Sequence, residues 1–387
     1  MTTYKRLGDY IREVNVRNRD LKVTKLVGLT IDKAFIPSVA NVIGTDLSNY
    51  KVIRKEQFAC SLMQVSRDGK MPVAMFEEDE AIMSPAYPMF EVIDKTVLMP
   101  QYLMMWFSRS EFDREASYYA VGGVRGSLTW EDFCNMKLPV PSITRQREIV
   151  SEYETLTNRI RLNNQMIQDL EATAQALYRK MFVDGIDKEN LPEGWSVKTL
   201  GEVCKNITDG VHNTVDDDIN GDYLLLSCKN IKGGRISTGE NERRIDFETF
   251  KKLRKRTQLK KGDILMSSVG TIGELVLLNE DPTNYEFQRS VAIIRANEEV
   301  VSPAFLFFSL KSQKDVIEQT AHGAVQRCLF ISDIANLKTI YPPSPDIIRF
   351  TEATLPLLNY IHIRQCENSK LSELQSLLLA KMGNLKQ

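Results

Sequence analysis

The chain has 387 residues, 43% hydrophobic and 26% charged, with a net charge of −1 at pH 7. That is room for two domains with separate cores, and with no global basic excess any affinity for nucleic acid must come from local patches. No apolar run reaches the roughly eighteen residues of a membrane span, and Cys60, Cys134, Cys204, Cys228, Cys328 and Cys366 include no C-x-x-C pair, which excludes a zinc site or a disulfide frame and leaves reduced, mostly buried thiols.

The opening Thr2-Thr3-Tyr4-Lys5-Arg6 has no signal-peptide pattern, so a cytoplasmic location without membrane contact is expected. Residues 1–145 then mix short strands and helices. The β-rich stretch from Tyr50 to Val65 runs into Arg67-Asp68-Gly69-Lys70, and Pro72 to Phe76 resumes an apolar run, which predicts a hairpin. Arg67 and Lys70 then sit in a turn, either simply solvated or offered to a phosphate or base edge. Pro100 to Phe107 predicts a helix whose large side chains belong to a core. Gly122 to Ser127 is a glycine-rich loop carrying Arg125, suited to a close backbone approach to phosphate or to joining two elements.

Leu138-Pro139-Val140-Pro141 is extended and delivers the chain into a helix expected over 146–183. Ile149, Tyr153, Leu156, Ile160, Asn163, Ile167, Leu170, Ala174, Leu177 and Met181 recur at alternating steps of four and three, as in a coiled-coil seam. About thirty-six residues without Pro or Gly make a rod on the order of 54 Å long.

After a linker at 184–196, the second block (197–345) contains Thr208-Asp209-Gly210-Val211-His212-Asn213-Thr214, a polar loop in which His212 and Asn213 are either merely exposed or aimed at base edges. Lys251-Lys252-Leu253-Arg254-Lys255-Arg256 is the strongest basic run. It reads as a solvated helix face or as phosphate contacts from Lys251, Lys252, Lys255 and Arg256. Gly262 to Gly273 predicts strand, tight turn, strand. Gln288-Arg289-Ser290 follows, and Gly323-Ala324-Val325-Gln326-Arg327 offers Gln326 and Arg327, types that pair bidentately with adenine and guanine edges. A second long helix is expected over 346–384. Its seam is poorer, with Arg364, Asn368 and Gln375 at heptad positions, and Pro356 predicts a ragged start.

A shift of 201 residues carries Leu156 onto Leu357, Ile160 onto Ile361, Leu170 onto Leu371, Leu177 onto Leu378, Leu128 onto Leu329 and Pro141 onto Pro342. The chain is a tandem duplication of a globular block and a long helix. Antiparallel pairing of the two helices would place the blocks at opposite ends of a rod about a pseudo-twofold axis. No P-loop, dinucleotide loop, amino-methylating motif or metal-ligand cluster is present; the one Pro-Pro pair, Pro342-Pro343, lacks the flanking residues such a methylating site uses.

Leu191-Pro192-Glu193-Gly194-Trp195 leading to Leu200-Gly201-Glu202, Asp209-Gly210-x-His212, Lys261-Gly262-Asp263-Ile264-Leu265 with Gly270-Thr271-Ile272-Gly273, and proline-rich exits into two long helices together resemble the specificity subunit of type I restriction-modification systems. The likeness spans nearly the whole chain, duplication included. The second exit departs from the family pattern, since Gln146 after Pro141 has no counterpart after Pro342-Pro343. The resemblance implies an α+β fold: two pseudo-twofold-related mixed α/β target-recognition domains joined by two long antiparallel coiled-coil helices. It implies a non-catalytic subunit that binds double-stranded DNA at a split, asymmetric site and docks two methylation (M) subunits and restriction (R) subunits. No cofactor is expected in this chain; S-adenosylmethionine, ATP and Mg belong to the partners. The other class of reading is a coiled-coil protein-interaction scaffold without DNA specificity, which the net charge suits and the repeated polar, glycine-rich loops do not.

Overall fold

The computed structural model describes residues 4–38, 44–63, 65–121, 126–187, 189–239, 241–323 and 327–383. Contacts divide the chain into two compact units, Met1–Leu162 with Glu367–Gln387, and Asn163–Cys366.

In the first unit, Ile11–Glu13, Met89–Val92, Phe58–Cys60 and Val73–Met75 lie side by side, in that order, as an antiparallel sheet. The helices Pro100–Phe107, Ser110–Ala120 and Trp130–Asn135 supply its core, with Tyr102, Phe107, Phe112 and Phe133 fully buried. A ribbon of Tyr4–Arg6 with Lys137–Pro139 ties the start of the block to its exit. The strands on either side of Arg67 pair as a hairpin, Cys60 opposite Val73 and Phe58 opposite Met75, across a long link. It steps away from the sheet and forms a helical turn, Val65–Asp68, because the wholly buried Val65 side chain draws the link into the core.

The second unit repeats the plan. Cys204–Asp209, Val291–Ala296, Ile264–Ser267 and Leu275–Leu277 form an antiparallel sheet in the corresponding order, with helices Pro303–Ser312, Lys314–Thr320 and Ile331–Asn336 and a ribbon of Ser196–Thr199 with Lys338–Tyr341. The outer strands differ between the units. Lys51–Arg54 pairs antiparallel with Glu80–Met83 in the first, whereas Tyr223–Leu226 runs parallel to Tyr285–Phe287 in the second. The second also inserts a helix, Phe247–Thr257, where the first passes from Lys51–Arg54 straight to Phe58–Cys60.

Two long helices, Ile143–Phe182 and Ser344–Met382, each contribute to both units. All ten seam positions from Ile149 to Met181 are buried or half-buried. Ile149, Val150 and Met382 belong to the first unit's core; Tyr178, Phe182 and Phe350 belong to the second's. There the Phe182 ring meets Phe305 at 5.0 Å and Phe350 at 5.5 Å. Each such ring stabilises by about 1.5–3 kcal/mol through burial, plus roughly 0.5–1.5 kcal/mol per well-set aromatic pair. The second helix does not start raggedly: it is regular from Ser344, where Asp346 and Ile347 donate backbone bonds to the Pro343 carbonyl, and it runs through Pro356. Packing of Ile347 and Phe350 outweighs the hydrogen bond lost at the proline.

The two exits are locked differently. Gln146 is fully buried, accepting from the Met99 N–H at 2.9 Å and donating to the carbonyls of Val97 (2.8 Å) and Pro141 (2.9 Å). Its counterpart by the 201-residue shift, Ile347, is packed in the second core, and a Ser302–Thr351 hydroxyl bond of 2.6 Å lies one turn on. Asp263 likewise has a structural task. Fully buried, it takes both Nε and Nη2 of Arg295 at 2.7 Å and the Lys260 N–H at 2.9 Å, and its bond to the guanidinium raises the Arg295 pKa further.

Six free cysteines are present, but only Cys60 is buried; Cys134, Cys204, Cys228 and Cys328 are half-buried and Cys366 is exposed. The expectation of burial fails for most of them because a thiol fits the edge of a core as readily as its centre.

Two stability outcomes are expected. Gln146→Ala leaves the Met99 N–H and the Val97 carbonyl without their partner and costs about 1–3 kcal/mol in urea unfolding. Asp263→Ala strands the largely buried Arg295 guanidinium and costs about 3–5 kcal/mol. Unchanged midpoints would show that neither lock bears on the fold.

Candidate nucleic-acid interface

In the second unit four polar segments converge through backbone hydrogen bonds. The Asp209 strand end turns at Gly210, where a β-carbon would come within 2.0 Å of the Phe287 carbonyl oxygen, so only glycine passes. Val211 N–H then donates to Phe287 O (2.8 Å), and Arg289 N–H to Val211 O (3.0 Å). Ser268 N–H donates to Ser290 O (2.9 Å), Leu329 N–H to Ser268 O (2.8 Å) and Gly270 N–H to Arg327 O (3.2 Å). The His212 loop, Gln288–Ser290, the Ser268–Gly273 turn and the Arg327 segment therefore form one cluster. Its flank is set by His322 and Cys328, which exchange two 2.8 Å backbone bonds.

The first unit has the matching junction. Leu128 N–H donates to Leu62 O at 2.9 Å, and Gly126 lies against Ser66 and the backbone nitrogen of Arg67. The Gly126 segment and the Arg67 turn thus meet as the Arg327 segment meets the Gly270 turn.

The candidate side chains fare differently. Arg67 is exposed and holds the Asp68 carboxylate at 2.7 Å, which keeps that carboxyl below its usual range. Lys70 reaches Asp32 at 3.3 Å. His212 and Asn213 are exposed, with His212 Nε2 2.8 Å from Asp209. Lys251, Lys252 and Lys255 are exposed on the helix Phe247–Thr257 and have no ion pair among the described residues. Arg256, expected on phosphate, is instead engaged within the unit: it donates to Gly210 O at 2.5 Å and to Asp209 at 3.2 Å, fastening the basic helix to the His212 loop. Arg327 is also engaged, donating to the Glu318 carbonyl. Both arrangements have one cause, a carbonyl brought close by the fold. Arg254, in the same basic run, is an anchor as well, bound to the fully buried Glu286, whose pKa burial raises. Arg125 and Gln326 lie outside the described residues.

Sequence reasoning passes over Arg289. Its side chain is exposed at the centre of the cluster and has no ion pair among the described residues. The signal is present in Gln288-Arg289-Ser290, but only the fold brings that segment beside His212.

Residues 192–347 match the family model described as the type I restriction modification DNA specificity domain. The chain is 22% identical over 308 residues to the type I restriction enzyme MjaIX specificity subunit of Methanocaldococcus jannaschii, covering 75% of this chain and 70% of that one. It is 26% identical over 243 residues to the EcoBI specificity subunit of Escherichia coli, covering 54% and 48%. The crystal structure of the type I restriction-modification S subunit from M. genitalium shares the fold, with a TM-score of 0.56 at 12% identity over 98% of this chain and 95% of that one. The second unit thus carries the match to the DNA specificity domain, and the chain as a whole is similar in sequence to type I restriction enzyme specificity subunits.

Proposed function

We propose that this protein selects the DNA target of a type I restriction-modification complex, each unit reading one half of a split site, without catalysis of its own. The observation that carries this reading is the repeated loop junction: Leu62 with Leu128 in one unit, Ser268 with Leu329 in the other, each beside exposed cations. The outer strands and the Phe247–Thr257 helix differ between the units, which supports two unlike half-sites and an asymmetric target.

The two long helices serve in this reading as an antiparallel spacer between pseudo-twofold-related target-recognition domains. Arg159 pairs with Glu367 at 2.7 Å in the first unit, and Phe182 meets Phe350 in the second, as that pairing requires. A spacer on the order of 54 Å suits half-sites about one DNA turn apart, roughly 34–36 Å. M and R subunits would supply S-adenosylmethionine, ATP and Mg chemistry, and the complex would work in the cytoplasm. No described helix is long and apolar enough to cross a membrane.

Base readout falls to His212, Asn213, Arg289, Gln326 and Arg327 in the second unit and to Arg67, Lys70 and Arg125 in the first. Lys251, Lys252 and Lys255 meet phosphates, while Arg256 positions the loop.

Methylation mapping on DNA exposed to the complex tests the reading. One split, asymmetric motif is expected; a palindromic motif, or methylation without sequence preference, would overturn it. Replacing Lys251, Lys252 and Lys255 together by Ala should weaken binding alike on all sequences and make the salt dependence shallower by about one unit per phosphate lost. Arg289→Ala should instead relax preference at one position of one half-site, by about 1–3 kcal/mol.

A further inference from the structure

We propose that the hairpin Ile231–Ile236, with Lys311 and Lys314, grips the phosphate backbone of duplex DNA without reading sequence. This rests on the DNA-reading function above. Ile231 pairs with Ile236 and Lys232 with Arg235, around a turn in which Gly233 (φ +57°) and Gly234 (φ +72°) are both left-handed. Lys232 and Arg235 are therefore directly opposite each other, an arrangement that is destabilising for like charges unless an anion is shared. Both are exposed, and neither has an ion pair among the described residues.

The ribbon is held at both ends. At its base, buried Asn230 donates to Ser237 O at 2.8 Å; at its tip, Gly233 N–H donates to Glu274 at 3.2 Å. A β-carbon on Gly234 would stand 3.0 Å from the Glu171 carboxylate, so the tip lies against that side chain too. Both carboxylates are already engaged, Glu274 with Lys314 at 3.0 Å and Glu171 with Lys311 at 2.7 Å. Four cations are thus gathered with two carboxylates. Glu274 directly follows Gly273, so the patch continues the loop cluster around Arg327. Long, exposed cationic side chains such as Lys232 and Arg235 suit a phosphodiester backbone better than a base edge.

The test uses the complex with its partner subunits and duplexes with and without the mapped site. Lys232→Ala with Arg235→Ala is expected to weaken binding to both duplexes equally, to make the log–log salt slope shallower by about 1.8, at roughly 0.9 per phosphate, and to leave the methylated motif unchanged. The exchange Lys232→Arg with Arg235→Lys should keep the wild-type slope. An unchanged slope in the alanine variant would overturn the proposal, as would intact DNA affinity with lost co-purification of a methylation subunit, which would make the ribbon a protein-docking surface. A wild-type complex that prefers no sequence would count against the function itself, whereas wild-type preference with an unaltered variant counts against the hairpin alone.

Discussion

An amphipathic helix of about forty residues cannot leave its apolar seam in water, and the rest of this structure depends on how that seam is covered. Each compact unit takes part of both long helices into its core. Ile149, Val150 and Met382 close one core; Tyr178, Phe182 and Phe350 close the other. A segment far along the chain is consequently as necessary to the first unit as its own strands. Arg109 makes the point: stacked 4.1 Å over Trp106, it donates to the Leu379 carbonyl at 2.9 Å, and Tyr4 donates to Gly383 O at 2.8 Å.

With the helices anchored, two antiparallel sheets of the same strand order hold the loops. The motif residues that carry the family likeness are largely the means of holding them. Gly210 permits a close backbone approach, Asp263 neutralises Arg295, and Gln146 satisfies three backbone groups at the exit. These residues shape a surface and leave exposed side chains between them, such as His212, Asn213 and Arg289. The locks and the exposed side chains are different residues, so the exposed set can change without disturbing the fold.

Much of this is legible in the sequence, for a physical reason. The heptad seam, the duplication and the basic helix are local or periodic patterns, written in spacings that survive without knowledge of the fold. The spacing even places Asn368 and Gln375 on the inner face of the second helix, where one is buried and the other half-buried. What only the tertiary structure decided are contacts between residues far apart in the chain. It turned Arg256 toward Gly210 and Arg327 toward Glu318, built the helical turn Val65–Asp68 into the hairpin's link, and carried the second helix regularly through Pro356. Charge and residue type say which side chains are able to meet an anion; which carbonyl or carboxylate reaches them first is a matter of packing, and packing is settled by the whole chain.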